Sequence, residues 1–300
     1  MRVAILRCQN LPSFVTWDIP NVEELFSDDQ LLIDAFRQRG IEAVSVVWSD
    51  PDVDWSGFDL ALIRSTWDYI DDHEHFLAAL SAIEASGCRL FNPLAAVRWN
   101  SNKRYLLDLE RWGVPTVPTY EASNTARNGW LDVIARGNWP GAVLKPMIGA
   151  GGADVRLVQP SEIADTLDRL AMEQPQRKFL VQPLVEPVIN EGEWSFIYLG
   201  GELSHILLKK PAAGDYRAHG IYGGTVESAS AHPRDILQAQ AMHARLPFDL
   251  LYARLDLVRI DGRLSIMELE LIEPLLYFHL APNTVGKLVD ATLAVAAVKP

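Results

Sequence analysis

Cysteine is nearly absent: Cys8 and Cys88 are the only two in 300 residues. Two cysteines eighty residues apart supply neither a disulfide framework nor a zinc signature. No apolar run approaches the roughly 20 residues needed to span a bilayer. The opening Met-Arg-Val-Ala-Ile-Leu-Arg is too short in its apolar part for a signal peptide and reads as a first strand. Positive charge is also short, 27 Lys+Arg against 39 Asp+Glu, for a net charge of −12. That balance argues against nucleic acid or an anionic membrane surface as partner, since both demand a dominant basic field. A cytoplasmic protein is the expectation. Low-complexity tracts and internal repeats are missing too. What is present is apolar substance, 49% of the chain, enough for a sizeable core and against global disorder.

The first third alternates strand and helix. Val3–Leu6, Ala43–Val47, Leu60–Ile63 and Arg89–Phe91 are β-rich. Asp28–Arg39 and His75–Ala85 are apolar at helical spacing, and Gly40 ends the first of them as a C′ glycine. Short loops between strands and helices predict a parallel sheet covered on both faces, which binds ligands beyond the carboxyl ends of its strands. Cys8–Ser13 and Arg64–Tyr69 lie at such ends. From about Lys103 the pattern changes. Ser101–Trp112 reads as a helix, followed by Gly113-Val-Pro-Thr-Val-Pro. Strands are expected at Ala142–Lys145, Val155–Val158 and Phe179–Gln182, with a helix Ser161–Met172 capped by Ser161. Gly200-Gly201 joins Trp194–Leu199 to Glu202–Lys209, and Asp261-Gly262 joins Tyr252–Arg259 to Leu264–Leu271. Both are hairpin signals. Helices are expected at Arg234–Arg245 and Val285–Val298. The fold class is therefore α/β followed by α+β.

Three groups of residues carry chemistry. Gly149, Gly151 and Gly152 follow Lys145 at a strand end. Such glycines let backbone N–H groups approach phosphate oxygens, and the lysine adds a point charge. An ordinary hairpin loop uses the same glycines, and the spacing is neither a Walker A loop nor a dinucleotide fingerprint. Asp256 lies on one predicted strand, with Glu268 and Glu270 on the next. Residues two apart share a strand face, and the Asp261-Gly262 turn folds Asp256 back towards them. Three carboxylates so placed suit a hard cation such as Mg²⁺, while a solvated sheet face has the same pattern. The third group is cationic: Lys103, Lys209, Lys210, Arg217 and Arg254. Arg217 sits in the glycine-rich stretch Gly214–Gly224, long enough to act as a lid over a phosphate. His219 in that stretch is a candidate proton acceptor. The seven histidines show no metal spacing apart from His73-x-His75. Together the three groups describe a nucleoside triphosphate site.

In this order the motifs resemble the ATP-grasp superfamily, in particular its glutathione-synthetase-like carboxylate–amine ligases. Asn100-Ser-Asn-Lys103 with Gly113-Val-Pro-Thr-Val-Pro resembles the early lysine helix and its Gly-x-Pro segment. Lys145-Pro with Gly149-Ala-Gly-Gly152 resembles the second phosphate lysine and the flexible loop. Gln182-Pro-Leu184-Val185 is similar to the adenine hinge, and Gly192-Glu193 to the step whose carboxylate takes the ribose. Gly214-Asp-Tyr-Arg217 is similar to the arginine loop. Asp256 with Glu268-Leu-Glu270 resembles the metal hairpin, with Glu270 where the family has Asn. The resemblance implies an ATP-grasp fold behind an N-terminal parallel-sheet domain, in three units at 1–100, 101–185 and 186–300. It implies ATP with Mg²⁺, or Mn²⁺ in its place, and catalytic roles for Lys145, Arg217 and Arg254. It implies an ADP-forming ligase that activates a small carboxylate as an acyl phosphate for an amine-type nitrogen.

Arg64-Ser-Thr-Trp-Asp-Tyr69 and Glu268-Leu-Glu-Leu-Ile-Glu-Pro274 resemble the branch that includes the cycloserine-forming ligase, which closes a ring within one amino-acid substrate. On the substrate side, Arg64 is a candidate carboxylate clamp, Asp68 a candidate partner for an amino group, and Tyr277 and His279 are further candidates. A capped helix start with Trp67 in the core explains the Arg64–Tyr69 segment equally well. The expected partner is a small-molecule carboxylate or amino acid, the expected assembly a homodimer. A nucleotide-binding regulatory module without turnover and a small-molecule phosphotransferase share the phosphate cations and are the alternatives.

Overall fold

The computed structural model describes residues 1–11, 24–122, 132, 134, 137, 139–152, 154–218 and 223–297. Its first sheet is parallel and carries β1 (Arg2–Arg7), β2 (Glu42–Val47), β3 (Leu60–Ser65) and β4 (Arg89–Phe91) in the order β2-β1-β3-β4. All six residues of β3 and the middle four of β1 are buried. That is the expected result where helices cover both faces of a parallel sheet. Helices Glu24–Gln38 and His73–Ala85 are among those that do so. The chain leaves β1 towards β2 on one side and continues from β3 to β4 on the other. The order therefore reverses between β1 and β3.

The second sheet holds β5 (Tyr120–Glu121), β6 (Ala142–Pro146), β7 (Arg156–Val158) and β8 (Phe179–Pro183) in the antiparallel order β5-β8-β6-β7. Helix Ile163–Glu173 packs on it through Ile163 and Leu170. Ser161 does not cap this helix. A short 3-10 turn, Pro160–Glu162, precedes it, and Gln159 and Glu162 form a reciprocal capping box two residues earlier than expected.

The third sheet is antiparallel, β11-β10-β9-β12-β13, built from β9 (Glu193–Leu199), β10 (Glu202–Lys210), β11 (Thr225–Ser228), β12 (Tyr252–Ile260) and β13 (Arg263–Glu270). Both hairpins turn where the sequence places them, with Gly200, Gly201, Asp261 and Gly262 at positive φ. Leu255, Leu257, Leu269 and Leu271 point into the core beneath this sheet. The alternate positions are thereby left for polar groups.

The first and third sheets are joined through buried polar contacts. Asn92 Nδ2 donates to the carbonyls of Tyr252 and Leu271 at 2.8 and 2.7 Å, and its Oδ1 accepts Leu251 N–H at 2.8 Å. The Tyr252 hydroxyl donates to the Ile63 carbonyl at 2.5 Å. Asp28 accepts the backbone N–H groups of Leu276, Tyr277 and Phe278 at 2.7 to 2.9 Å. Among the described residues, no helix is long and apolar enough to cross a membrane.

Candidate active site

A cleft opens between the second and third sheets. Its walls include Lys103, Lys145, Gly149, Gly152, Gln182, Leu184, Val185, Glu193, Arg217 and Glu268. These residues come from six separate stretches of chain. Lys103 lies just before helix Tyr105–Arg111 and is stitched to the glycine loop twice. Its backbone N–H donates to the Met147 carbonyl at 2.7 Å, and its Nζ donates to the Gly149 carbonyl at 3.1 Å. The same ammonium meets Glu268 Oε1 at 2.5 Å. Burial alone would lower the Lys103 pKa, but the Glu268 charge and hydrogen bond outweigh it and raise it. Lys145 ends up differently. Its ammonium contacts the Met267 thioether at 3.3 Å. Burial pulls its pKa down despite Glu268, and the neighbouring Lys103 charge pulls the same way. A half-buried lysine with only a weak acceptor is suited to an arriving phosphate. Gly151 and Gly152 both hold positive φ in the loop beside it, and Gly151 is not part of the cleft wall.

At the opposite end, the Gln182 side chain is buried, with Nε2 donating to Thr119 Oγ1 at 2.9 Å. Its Oε1 has no hydrogen-bond partner among the described residues. A buried carbonyl oxygen left open on a cleft wall suits a ligand amino donor, and adenine carries one. Glu193 enters the cleft at the start of β9, directly after Gly192. A Cβ at Gly192 would sit 2.6 Å from the Lys209 carbonyl, so only glycine allows this approach. Burial raises the Glu193 pKa, and Lys209 opposes that rise.

Behind the cleft wall lies a network of buried charge. Register sets Asp256 opposite Glu268 and Arg254 opposite Glu270, so all four share one sheet face. Lys209, fully buried, reaches Asp256 at 3.0 Å and Glu193 at 3.3 Å. Arg254 forks onto Asp256, with Nη2 at 2.9 Å from Oδ2, and also binds Glu270. Ser195 Oγ donates to Asp256 at 2.5 Å. Despite its burial, Arg254 and Lys209 hold the Asp256 carboxyl far below its ordinary pKa. Glu270 is pushed up to about 7 by burial against the pull of Arg254, with Asp256 and Glu268 adding to the rise. Glu273 is pushed up to about 8 by burial and by the Glu270 charge.

The three carboxylates proposed from sequence are therefore on one face but not gathered into a cage. Among the described residues no three His, Cys, Asp or Glu converge at metal-ligand spacing. A divalent cation has to displace Lys103 from Glu268 and Arg254 from Glu270. The donor chemistry nevertheless fits one: three hard carboxylate oxygens on one sheet face, with Glu270 raised in pKa by burial and further by the Asp256 and Glu268 charges, which a cation relieves. Arg217 pairs with Asp215, Nη2 to Oδ2 at 2.8 Å and Nε to Oδ1 at 3.1 Å. The hydrogen bonds from Arg217 hold the Asp215 carboxyl down at about 2. His219 lies outside the described residues.

The substrate-side candidates separate. Arg64 is buried at the end of β3 and donates to the Pro274 carbonyl at 2.8 Å. Tyr277 sits two residues beyond the Leu275 carbonyl that Arg254 Nη1 holds at 2.9 Å, with the Arg254 guanidinium 5.9 Å from its ring centroid. His279 is exposed. The Asp68 carboxylate accepts the Gln9 N–H at 3.0 Å and the Trp48 indole N–H at 2.6 Å. His73 is the first residue of a helix and shares a 2.8 Å hydrogen bond with Ser101 Oγ. Sequence reasoning missed Asp29 and Ser195, whose partners lie 35 or more residues away, and the bridging position of Lys209.

Fold and cleft define an ATP-grasp enzyme, an ADP-forming carbon–nitrogen ligase that uses ATP and a divalent metal. Residues 132–274 match the prokaryotic glutathione synthetase ATP-grasp domain. Residues 3–92 match the N-terminal domain of D-cycloserine synthetase DcsG. The chain is 32% identical over 258 residues to the cycloserine biosynthesis protein DcsG of Streptomyces lavendulae, covering 81% of this chain and 85% of that one. It belongs to the DcsG family of ATP-grasp ligases. A glutathione synthetase of Ralstonia nicotianae is 27% identical over 192 residues, 62% of this chain and 52% of that protein. The crystal structure of D-cycloserine synthetase DcsG superposes with a TM-score of 0.81 at 27% identity, over 99% of this chain and 100% of that one. A Bacillus anthracis D-alanine–D-alanine ligase complexed with ATP shares the fold, with a TM-score of 0.68 at 15% identity over 99% of this chain and 97% of that one.

Proposed function

We propose that this enzyme activates the carboxylate of a small amino-acid derivative with ATP and closes a ring onto that molecule's own amine-type nitrogen, as in cycloserine formation. The observation that carries the reading is the meeting of Lys103, Lys145, Glu193, Arg217 and Glu268 in one cleft from distant parts of the chain. The γ-phosphoryl group passes to a carboxylate oxygen, giving an acyl phosphate and ADP. The nitrogen attacks the acyl carbon, the C–N bond forms, and phosphate leaves.

The chain's part is positioning and electrostatics. Gln182, Leu184 and Val185 hold the adenine, and Glu193 takes the ribose hydroxyls. Lys103, Lys145 and the N–H groups of Gly149 and Gly152 cradle the phosphates, and Gly151, at positive φ between them, turns the loop. Arg217, released from Asp215, and Arg254 face the transferring phosphoryl group and the substrate. Charge neutralisation between phosphates is the chemistry that bound Mg²⁺ supplies, with Asp256, Glu268 and Glu270 as its holders and Mn²⁺ as a substitute. Arg64, Tyr277 and His279 lie on the acceptor side, and Asp68 keeps the Trp48 corner in place. The same reading takes the three units as 1–100, 101–185 and 186–300, and the enzyme as a cytoplasmic homodimer.

The test is a phosphate-release screen across amino acids, their aminooxy derivatives and short peptides. ATP-dependent release with one small amino-acid class, lost in Glu268→Gln, is the expected result. Release that ignores every carboxylate, or full activity in Glu268→Gln, contradicts it.

A further inference from the structure

Met267 and Glu268 are consecutive on β13, yet both line the cleft. In a regular strand, neighbouring side chains point to opposite faces. A bulge removes that alternation here. Asp256 pairs with Glu268 and Leu257 with Ile266, so Met267 is the extra residue, without a partner on β12. Bulges of this kind re-aim a side chain, often beside an active site. The thioether is turned onto Lys145, with Sδ 3.3 Å from Nζ. The side chain also packs against the cluster of Val117, Val185, Val188, Ala218 and Val258. Met267 therefore adjoins both the hinge residue Val185 and the phosphate lysine.

The chain has five methionines, and the other four are placed differently. Met147 and Met242 are buried, while Met1 and Met172 lie at the surface, Met172 with 78% exposure. None of these four is part of the described cleft wall. Met267 is half-buried on that wall. A thioether is a weak acceptor, so it leaves the Lys145 ammonium ready for a phosphate. A sulfoxide presents a polar oxygen instead. One oxygen on a sulfur already 3.3 Å from Nζ falls within hydrogen-bond reach of the ammonium. That bond is charge-assisted, and an arriving phosphate has to break it.

We propose that Met267 is a peroxide-sensitive modification site whose sulfoxide captures Lys145 and weakens nucleotide binding. The proposal rests on the reading of this cleft as the ATP site and adds a control over its occupancy. The sulfur attacks one oxygen of hydrogen peroxide, the S–O bond forms and the O–O bond breaks. The other oxygen leaves as water with both peroxide protons. Sulfur is oxidised by two electrons and peroxide is reduced by two. Methionine sulfoxide reductases undo the step, so the capture is reversible. Bound nucleotide draws Lys145 onto its phosphates and covers the cleft wall, which shields the sulfur.

Peroxide titration of the full chain, read by peptide mass spectrometry, counts the sulfoxide at each methionine. Both Met172 and Met267 are expected to oxidise. ADP with Mg²⁺, at ten times its Kd, should slow Met267 about tenfold and leave Met172 unchanged. Calorimetric ADP affinity should fall about tenfold once Met267 is oxidised and return after treatment with the reductases. Met267→Leu, compared with itself before and after peroxide, should show no such fall. Met267→Gln, which puts an amide oxygen beside Lys145, should bind ADP about tenfold more weakly than Met267→Leu. The sulfoxide should also slow acetylation of Lys145 by acetic anhydride, because its ammonium is held. A Met267 left unoxidised when Met172 is fully oxidised overturns the proposal. ADP affinity or Lys145 acetylation that ignores the Met267 sulfoxide overturns it as well, and leaves the ATP site standing. A protein that binds no ADP before peroxide overturns the cleft assignment itself.

Discussion

Replacing Asp29 with Asn should make the protein more stable, and increasingly so as pH rises. The carboxyl moves from 3.8 to about 6 on folding, mainly through desolvation, and its side chain is only 14% exposed. The folded chain therefore holds a proton more tightly than the unfolded chain between those two values. For an acid shifted upward, folding stability falls as pH rises through this window, and the whole penalty is present above it. Two units correspond to about 3 kcal/mol at alkaline pH, and linkage gives about 1.4 kcal/mol for the change between pH 5 and pH 8 alone. The assay is urea unfolding of wild type and Asp29→Asn at half-unit steps over that range. The difference in unfolding free energy should move in favour of the variant by about tenfold in the folding constant. A difference that is flat with pH, or that moves in favour of wild type, refutes the reasoning about Asp29.

Other outcomes follow from the same geometry. Lys209→Met leaves Glu193 and Asp256 buried with one cation fewer and should cost about 3–5 kcal/mol. Adding Glu193→Gln should recover a good part of this in a double-mutant cycle, measured by chemical unfolding. Asp28→Ala strips three backbone N–H groups at 276–278 of their acceptor; it should destabilise by roughly 2 kcal/mol or more and raise KM through displacement of Tyr277. Glu268→Gln should reduce phosphate release by about a hundredfold or more while ADP binding without metal is kept. Asp215→Asn removes the resting partner of Arg217 and should tighten ATP more than ADP, read by calorimetry.

Much of this fold is legible in the sequence because local rules and tertiary packing agree. The two hairpins carry their turn residues at Gly200-Gly201 and Asp261-Gly262, and the strands on either side alternate or run apolar as their burial requires. Gln159 is not legible as a cap because a 3-10 turn intervenes before the helix, so the capping residue does not directly precede the helical periodicity. Spacing alone also places Glu268 and Glu270 on one face, and the hairpin register puts Asp256 opposite Glu268. Their counter-ions are not legible. Lys209 reaches Asp256 from the far side of β9, and Lys103 reaches Glu268 across 165 positions. Asp28 and Asp29 show the same limit most sharply. Adjacent in sequence and unremarkable in pattern, one closes the junction to the loop at 276–278 and the other faces Arg64.

The central claim is that a carboxylate becomes an acyl phosphate in the cleft between the second and third sheets. Turnover in the presence of hydroxylamine, with ADP and hydroxamate counted together, tests it most directly. The account predicts hydroxamate that forms only with ATP and the amino-acid substrate, at one per ADP. A stable phosphorylated product without hydroxamate contradicts it.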